Sequence, residues 1–417
     1  MRILVAPDKF RDALDARSAA DALAAGVRDV RPDAEITCCP LGDGGEGTGR
    51  ILAEALHAEE RTATVLDPLG RPRTARWWLR RATPALAVVE MAEASGVALL
   101  APRERDPLRT TSFGTGQLLQ AALAAGARRI LLCVGGSATV DGGAGCLQAL
   151  GYEFADDAGA ALPPPIRGGA LARIVALCPP TPLHYKGHTI PRAAKTLSGS
   201  GPLQSKIQNP KSKIGLRAKP APRLAIDVLC DVDNPLLGPR GAAPVFAPQK
   251  GASPEAVQTL QRGLAHWADV LQRSGGPDIR ALPYGGASGG LPAGLAALLG
   301  ARLLSGFDEV ARHLRLADLL RGCDLCLTGE GRLDDQTGGG KVVAGLARLA
   351  HAANVPTIAF VGALRTARVQ SSDHLAASLG LQRIIVITPP DTPLSAALPA
   401  TAPNLRRAAS DFLTSPR

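Results

Sequence analysis

Aromatic residues make up only 3% of the 417-residue chain, so the apolar share of 46% rests mainly on small aliphatic side chains. That mix fits packed α/β layers better than an all-β sandwich. No apolar run reaches the ~18 residues that a membrane span needs; Gly, Pro or charges break the longest ones. Met1 leads straight into the strand-like run Arg2-Ile3-Leu4-Val5-Ala6, so no secretory leader is expected and a cytoplasmic location is. Histidine is scarce, and none joins a Ser and an Asp in a pattern that supports a hydrolase triad. Transition-metal ligand spacing is missing as well. The eight cysteines are scattered, several inside apolar runs where a thiol behaves as a small hydrophobe. Cys323 and Cys326 have CxxC spacing, but no second pair or nearby histidine completes a site, and they read as part of a strand.

Acidic residues vanish between Asp157 and Asp227, where 11 Lys and Arg lie. The net charge of +10 is therefore local: the rest of the chain carries 36 basic against 37 acidic residues, and a nucleic-acid-binding surface is not implied. The segment 178–222 has no hydrophobic period and is rich in Pro, Lys, Ser and Gly. Its Ser205-Lys206-Ile207 recurs as Ser212-Lys213-Ile214. Six of the nine lysines fall there, whereas Arg outnumbers Lys by 36 to 3 elsewhere. The segment reads as a late insertion that stays disordered, since it buries too little apolar area to offset ordering entropy. A basic arm for nucleic acid or acidic partners is the alternative.

Outside that segment strands alternate with helices. Apolar strands are predicted at 2–6, 34–39, 130–134, 325–328, 356–361 and 383–388. Helices are predicted from a Ser18/Asp21 capping box to Val30, over 114–125, from about Val342 to Ala352 and near 403–413. Such alternation argues for parallel βαβ units.

The three lysines outside the basic segment, Lys9, Lys250 and Lys341, sit in Gly- or Asp-rich loops of a chain that otherwise uses Arg. Phosphate chemistry uses Lys as a compact point charge. Four acidic, glycine-rich signatures accompany them. These are Pro7-Asp8-Lys9, Gly42-Asp43-Gly44-Gly45-Glu46-Gly47-Thr48, the run from Gly135 to Gly143, and Thr328-Gly329-Glu330-Gly331-Arg332. Glycines let a backbone approach phosphate, helix N-termini point N–H groups at anions, and carboxylates can hold Mg²⁺ or accept a hydroxyl proton. One such loop is more often a tight turn; four with interleaved Asp, Glu and Lys are hard to explain that way. Asp231-Val232-Asp233-Asn234 adds carboxylates, with an Asx-turn before Pro235 as the plain alternative. The stretch from Glu330 to Lys341 is not a Walker A loop, because Asp335 replaces its first Gly and Val342 follows the Lys.

Six ordered motifs resemble the type I glycerate kinase family: Val5-Ala6-Pro7-Asp8-Lys9-Phe10, Asp43-Gly44-Gly45-Glu46-Gly47-Thr48, Gly135-Gly136-Ser137-Ala138-Thr139 with Asp141-Gly142-Gly143, Cys230-Asp231-Val232-Asp233-Asn234-Pro235, Pro248-Gln249-Lys250-Gly251, and Thr328-Gly329-Glu330-Gly331 with Gln336-Thr337 and Gly340-Lys341. Asp12-Ala13 stand where that family often has Gly-Ser. The resemblance implies a flavodoxin-like (Rossmann-like) parallel-sheet α/β domain made from both chain ends, 1–60 plus 286–417, and a mixed α/β domain inserted at 61–285. It also implies ATP and Mg²⁺ as cofactors and D-glycerate as acceptor, with 2-phosphoglycerate as product. The expected catalytic set is Asp8, Lys9, Asp43, Asp141, Asp231, Glu330 and Lys341, with Asp8 or Asp141 as the base. Nucleotide contacts are expected from Gly44, Gly45, Gly135, Gly136, Ser137, Thr139, Gly142, Gly143, Gly329, Gly331, Gln336 and Thr337, and metal contacts from Asp43, Asp231 and Glu330. A kinase for another small hydroxy acid, or a catalytically impaired nucleotide- or anion-binding relative, stays open. Nucleic-acid and membrane partners are not expected, and a homodimer is left open.

Overall fold

The computed structural model describes residues 1–180, 224–334, 341–365 and 372–414. Gln336, Thr337 and nearly all of the basic segment lie outside the described residues.

In chain order the strands are β1 (Arg2–Val5), β2 (Glu35–Cys38), β3 (Glu59–Leu66), β4 (Pro72–Arg80), β5 (Leu86–Glu90) and β6 (Arg129–Cys133). They continue with β7 (Glu153–Ala155), β8 (Ala176–Cys178), β9 (Ala225–Cys230), β10 (Arg302–Ser305), β11 (Leu325–Asp334), β12 (Thr357–Arg365) and β13 (Arg383–Val386). One sheet has the order β13-β12-β11-β1-β2 with parallel pairings throughout. Counted within this sheet, that is the flavodoxin-like order 2-1-3-4-5. The second sheet, β10-β9-β6-β5-β4-β3, is parallel through β5 and antiparallel at β4 and β3. β7 and β8 form a separate antiparallel pair.

Both chain ends build the first sheet, as the sequence suggests, but sheet membership moves the crossover points. β3 already starts at Glu59, and β10, at 302–305, pairs with β9 in the second sheet. The strands of the second sheet thus run from 59 to 305. The sequence hides this because β10 is short and sits within a run of helices.

The chain ends are locked by one helix pair. Ala16–Val30 carries Ala16, Ala19, Ala20, Leu23, Ala24 and Val27 on one buried face, the spacing of a helix that covers a sheet. It packs on the C-terminal helix Thr401–Thr414, and a Cβ on Gly26 would lie 2.1 Å from the Arg406 carbonyl oxygen. Arg406 also makes a two-pronged ion pair with Asp29 at 2.6 Å for each contact. The N-cap is Asp15, which accepts the Ser18 N–H at 2.7 Å; the expected Ser18 cap lies inside the first turn instead.

β11 is ten residues long, where a four-residue strand followed by a glycine loop is expected. Its pairing with β12 continues as far as Asp334 opposite Arg365. Gly329 explains the extension, because a Cβ there would meet the Phe360 carbonyl oxygen at 2.3 Å and the Phe10 ring at 3.1 Å. That glycine serves close packing inside a sheet, not a turn. Among the described residues no helix is long and apolar enough to cross a membrane.

Candidate active site

β1 is flanked by β2 on one side and β11 on the other, so the strand order reverses there. Open α/β sheets bind ligands at the carboxyl ends of strands beside such a reversal. Asp8 and Lys9 leave β1 at this point, and Glu330 stands on β11. The second sheet turns the carboxyl ends of β5, β6 and β9 toward the same space, bringing Glu90, residues 135–137 and Asp231. The cleft between the two sets has a volume of about 1780 Å³. Ligand pockets commonly measure roughly 300–1,000 Å³, so the cleft is larger than a typical single-ligand pocket.

Of the expected residues, Asp8, Lys9, Asp43, Asp231 and Glu330 line this cleft. Gly45, Gly135, Gly136, Ser137 and Gly331 line it too. Distant motifs therefore converge, as the sequence reading requires. Lys341 opens the helix Lys341–Ala352.

Lys9 is clasped by two carboxylates: its Nζ lies 3.3 Å from Asp43 Oδ1 and 3.9 Å from Asp8 Oδ1. Burial alone would lower the ammonium's pKa, but Asp43 and Asp8 outweigh it and hold it above the ordinary lysine value. The two acids then diverge. Burial pushes Asp43 up, yet Lys9 and the Gly45 N–H, donating at 2.9 Å, bring it below the usual carboxylate range. Asp8 is pushed up by burial to about 7, with Lys9 opposing and Asp43 adding to the rise. One ammonium between two acids thus keeps Asp43 ionised and leaves Asp8 poised near neutral pH, where a general base works best.

Asp141 does not join them. It is fully buried away from the cleft, and its oxygens accept the Ser112 N–H at 2.7 Å, the Ser112 hydroxyl at 2.8 Å, and the Gly143 and Gly145 N–H groups at 3.1 and 3.3 Å. Burial raises its pKa against these hydrogen bonds. It organises the start of the helix Ala144–Ala149 and has no surface to offer a substrate. Thr139, Gly142 and Gly143 lie with it rather than in the cleft; Trp267 Nε1 donates to the Gly142 carbonyl at 3.0 Å. Gly44 and Gly329 are likewise outside the lining. Gly44, at φ 95°, packs on β9, where a Cβ would meet the Leu229 carbonyl oxygen at 2.6 Å.

Two cleft residues carry chemistry that the sequence did not assign. Glu90, at the end of β5, accepts the Gly47 N–H at 2.8 Å and the Gly49 N–H at 2.9 Å, so the start of the helix Thr48–Ala55 already holds a carboxylate. Burial pushes Glu90 up to about 7 against those two bonds. Its signal was hidden at the tail of an apolar strand. Lys250, noted in the sequence as a retained lysine within one of the six motifs but given no role, is buried and donates to Ser137 Oγ at 2.8 Å and to the Thr139 carbonyl at 2.7 Å. Burial lowers it to about 7, with Asp231 and Asp141 pulling the other way.

Among the described residues no group of three or more His, Cys, Asp or Glu side chains is placed to hold a metal. Asp43, Asp231 and Glu330 are therefore not a three-carboxylate centre, and Lys9 already occupies Asp43 Oδ1. Magnesium does not need such a centre, since it is commonly held by one or two carboxylates together with substrate phosphates and water. The oxygen-only donor set of Asp231 and Glu330 on facing walls fits that mode.

The model of the glycerate kinase family matches residues 3–179 and 197–415. A glycerate kinase of Bacillus subtilis is 36% identical over 415 residues, covering 100% of this chain and 97% of the relative. A glycerate 2-kinase of Escherichia coli is 38% identical over 364 residues, covering 87% and 86%. A solved structure described as glycerate kinase 2 from Salmonella typhimurium LT2 superposes with a TM-score of 0.73 at 35% identity, covering 99% of this chain and 97% of that one. A match over nearly the whole chain, on a fold whose strand reversal gathers the same acidic and lysine-bearing motifs, makes this chain a member of the glycerate kinase family and a kinase enzyme.

Proposed function

We propose that this enzyme transfers the γ-phosphoryl group of ATP to D-glycerate and that the product is 2-phosphoglycerate. The observation that carries the reading is the Asp8–Lys9–Asp43 cluster at the strand reversal, facing Asp231 across the cleft. In phosphoryl transfer, positioning and electrostatics do most of the work. Asp8, half-protonated near neutral pH, accepts the acceptor hydroxyl proton. Lys9, kept charged by Asp43, faces the transferring group. Asp231 and Glu330 would hold Mg²⁺, which supplies charge neutralisation between phosphate oxygens when bound. The name of the Escherichia coli relative, a glycerate 2-kinase, supports the 2-phosphate as product. A coupled assay with D-glycerate, ATP and Mg²⁺, with the product identified by NMR, tests the reading. Glycerate-dependent ADP release with the 2-phosphate is the expected result; ADP release with another hydroxy acid alone would replace the acceptor, and the 3-phosphate would replace the product.

A further inference from the structure

Three of the arginines along the cleft already have carboxylate partners. Arg17 and Arg50 pair with Glu54, and Arg76 pairs with Glu93. Arg105 is different. It lines the cleft, its Nε is buried, and among the described residues neither a hydrogen-bond partner for that nitrogen nor a carboxylate at ion-pair distance is present. Its guanidinium is thus a cation at the cleft wall that no carboxylate among the described residues neutralises, and a ligand carboxylate matches such a charge.

Arg105 is also fixed in place. Gly251, at φ 93°, presses against it so closely that a Cβ there would meet the Arg105 carbonyl oxygen at 2.1 Å. The residue before that glycine is Lys250, whose Nζ donates to Ser137 Oγ at 2.8 Å. With its oxygen accepting from Lys250, the Ser137 hydroxyl keeps its own hydrogen for an acceptor, and Ser137 lines the same cleft. These groups belong to the wall of the second sheet, across from Asp8, Asp43 and Glu330 on the first. The cleft therefore has an acidic wall suited to metal and proton transfer, and a wall with donors suited to an anion.

We propose that Arg105 and the Lys250–Ser137 pair form the subsite for the carboxylate of the small acceptor acid. A planar guanidinium matches a carboxylate with two parallel N–H bonds. Lys250 acts as a positioning residue that aims the Ser137 hydroxyl at the same group. This deepens the kinase reading and rests on it.

The test compares wild-type enzyme with Arg105→Ala, Arg105→Lys and Ser137→Ala, measuring KM for D-glycerate and for ATP separately and using glyceramide as an uncharged acceptor. Arg105→Ala is expected to raise KM for glycerate about 10- to 100-fold while KM for ATP stays within about twofold. It should also narrow the preference for glycerate over glyceramide, and Arg105→Lys should recover part of the loss. Ser137→Ala should raise KM for glycerate more than it lowers kcat. An unchanged KM for glycerate in Arg105→Ala, or a matching rise in KM for ATP, overturns the subsite while leaving the kinase reading intact. If the wild type works only on another hydroxy acid, the D-glycerate reading fails and the same comparison is made with that acid. If it accepts no acid at all, both readings fall.

Discussion

At the residue scale the deciding contrast is between Asp8 and Asp141, which the sequence offered as equal candidates for the base. Both are buried, but only Asp8 opens on the cleft, where it shares the Lys9 ammonium with Asp43 at ion-pair distance. Asp8→Asn should lower kcat by ~10²-fold or more with little change in unfolding midpoint. Because burial raises Asp8 to about 7, the wild-type kcat/KM should fall as pH drops through that value, since the protonated acid cannot accept a proton. A wild-type profile flat from pH 6 to 8 would remove Asp8 from the role. Asp141→Ala should instead cost stability, about 1–3 kcal/mol for donors left unmatched, read by urea denaturation. Lys250 gives a third signature. Its folded pKa is lowered from 10.5 to about 7, so the unfolded chain binds the extra proton between those values and stability should rise with pH across that window. Lys250→Met should flatten that rise.

At the element scale the sequence was most legible where periodicity or continuous apolarity is strong. The helix Ala16–Val30, the buried strand β6 and the alternation that yields parallel sheets all follow from side-chain spacing. It was least legible at glycines, which look alike whether they turn the chain, approach a ligand or let two backbones touch. Gly329 reads as a loop residue and is a packing residue in β11. Asp12, where the resemblance expects a glycine, adopts φ 63°, a backbone state that Asp tolerates better than most side chains. Glu90 was invisible for another reason: its partners, Gly47 and Gly49, are more than 40 residues away in sequence. The sign of its effect can be checked. Burial holds Glu90 at about 7 in the folded state, above the ordinary 4.5, so the folded protein binds the extra proton between these values. Its contribution to stability should therefore decline as pH rises from 4.5 through 7. Glu90→Gln should remove that decline and, by losing one acceptor of the helix start, cost about 1 kcal/mol at low pH. Denaturant midpoints at pH 5 and pH 8 for both proteins decide it.

At the scale of the whole molecule, the cleft exists because loops of one sheet rest directly on backbone of the other. Gly44 lies against Leu229 at the end of β9, and Gly45 lies against Gly135, where a Cβ would sit 2.4 Å from the Gly45 Cα. Gly306, which opens the helix Gly306–His313 just after β10, lies against Asp43 itself; a Cβ there would meet the Asp43 carbonyl oxygen at 1.8 Å. Glycines that resemble phosphate cradles in the sequence thus hold two domains at backbone distance, and the position of Asp43, hence of Lys9, depends on them. This leads to a prediction that runs against helix propensity. Gly306 has no positive φ, so in isolation Gly306→Ala should stabilise its helix by ~0.5–1 kcal/mol. In the folded enzyme the added methyl must push away the loop that carries Asp43. Overpacking of this kind costs about 1–3 kcal/mol, and a catalytic group displaced by ~1 Å can cost ~10²-fold in rate. Gly306→Ala should therefore keep both sheets by circular dichroism while kcat falls at least ~10-fold. Wild-type turnover with a raised unfolding midpoint would mean that the domains yield there at no cost, and that Asp43 owes its place to something other than the contact between the two sheets.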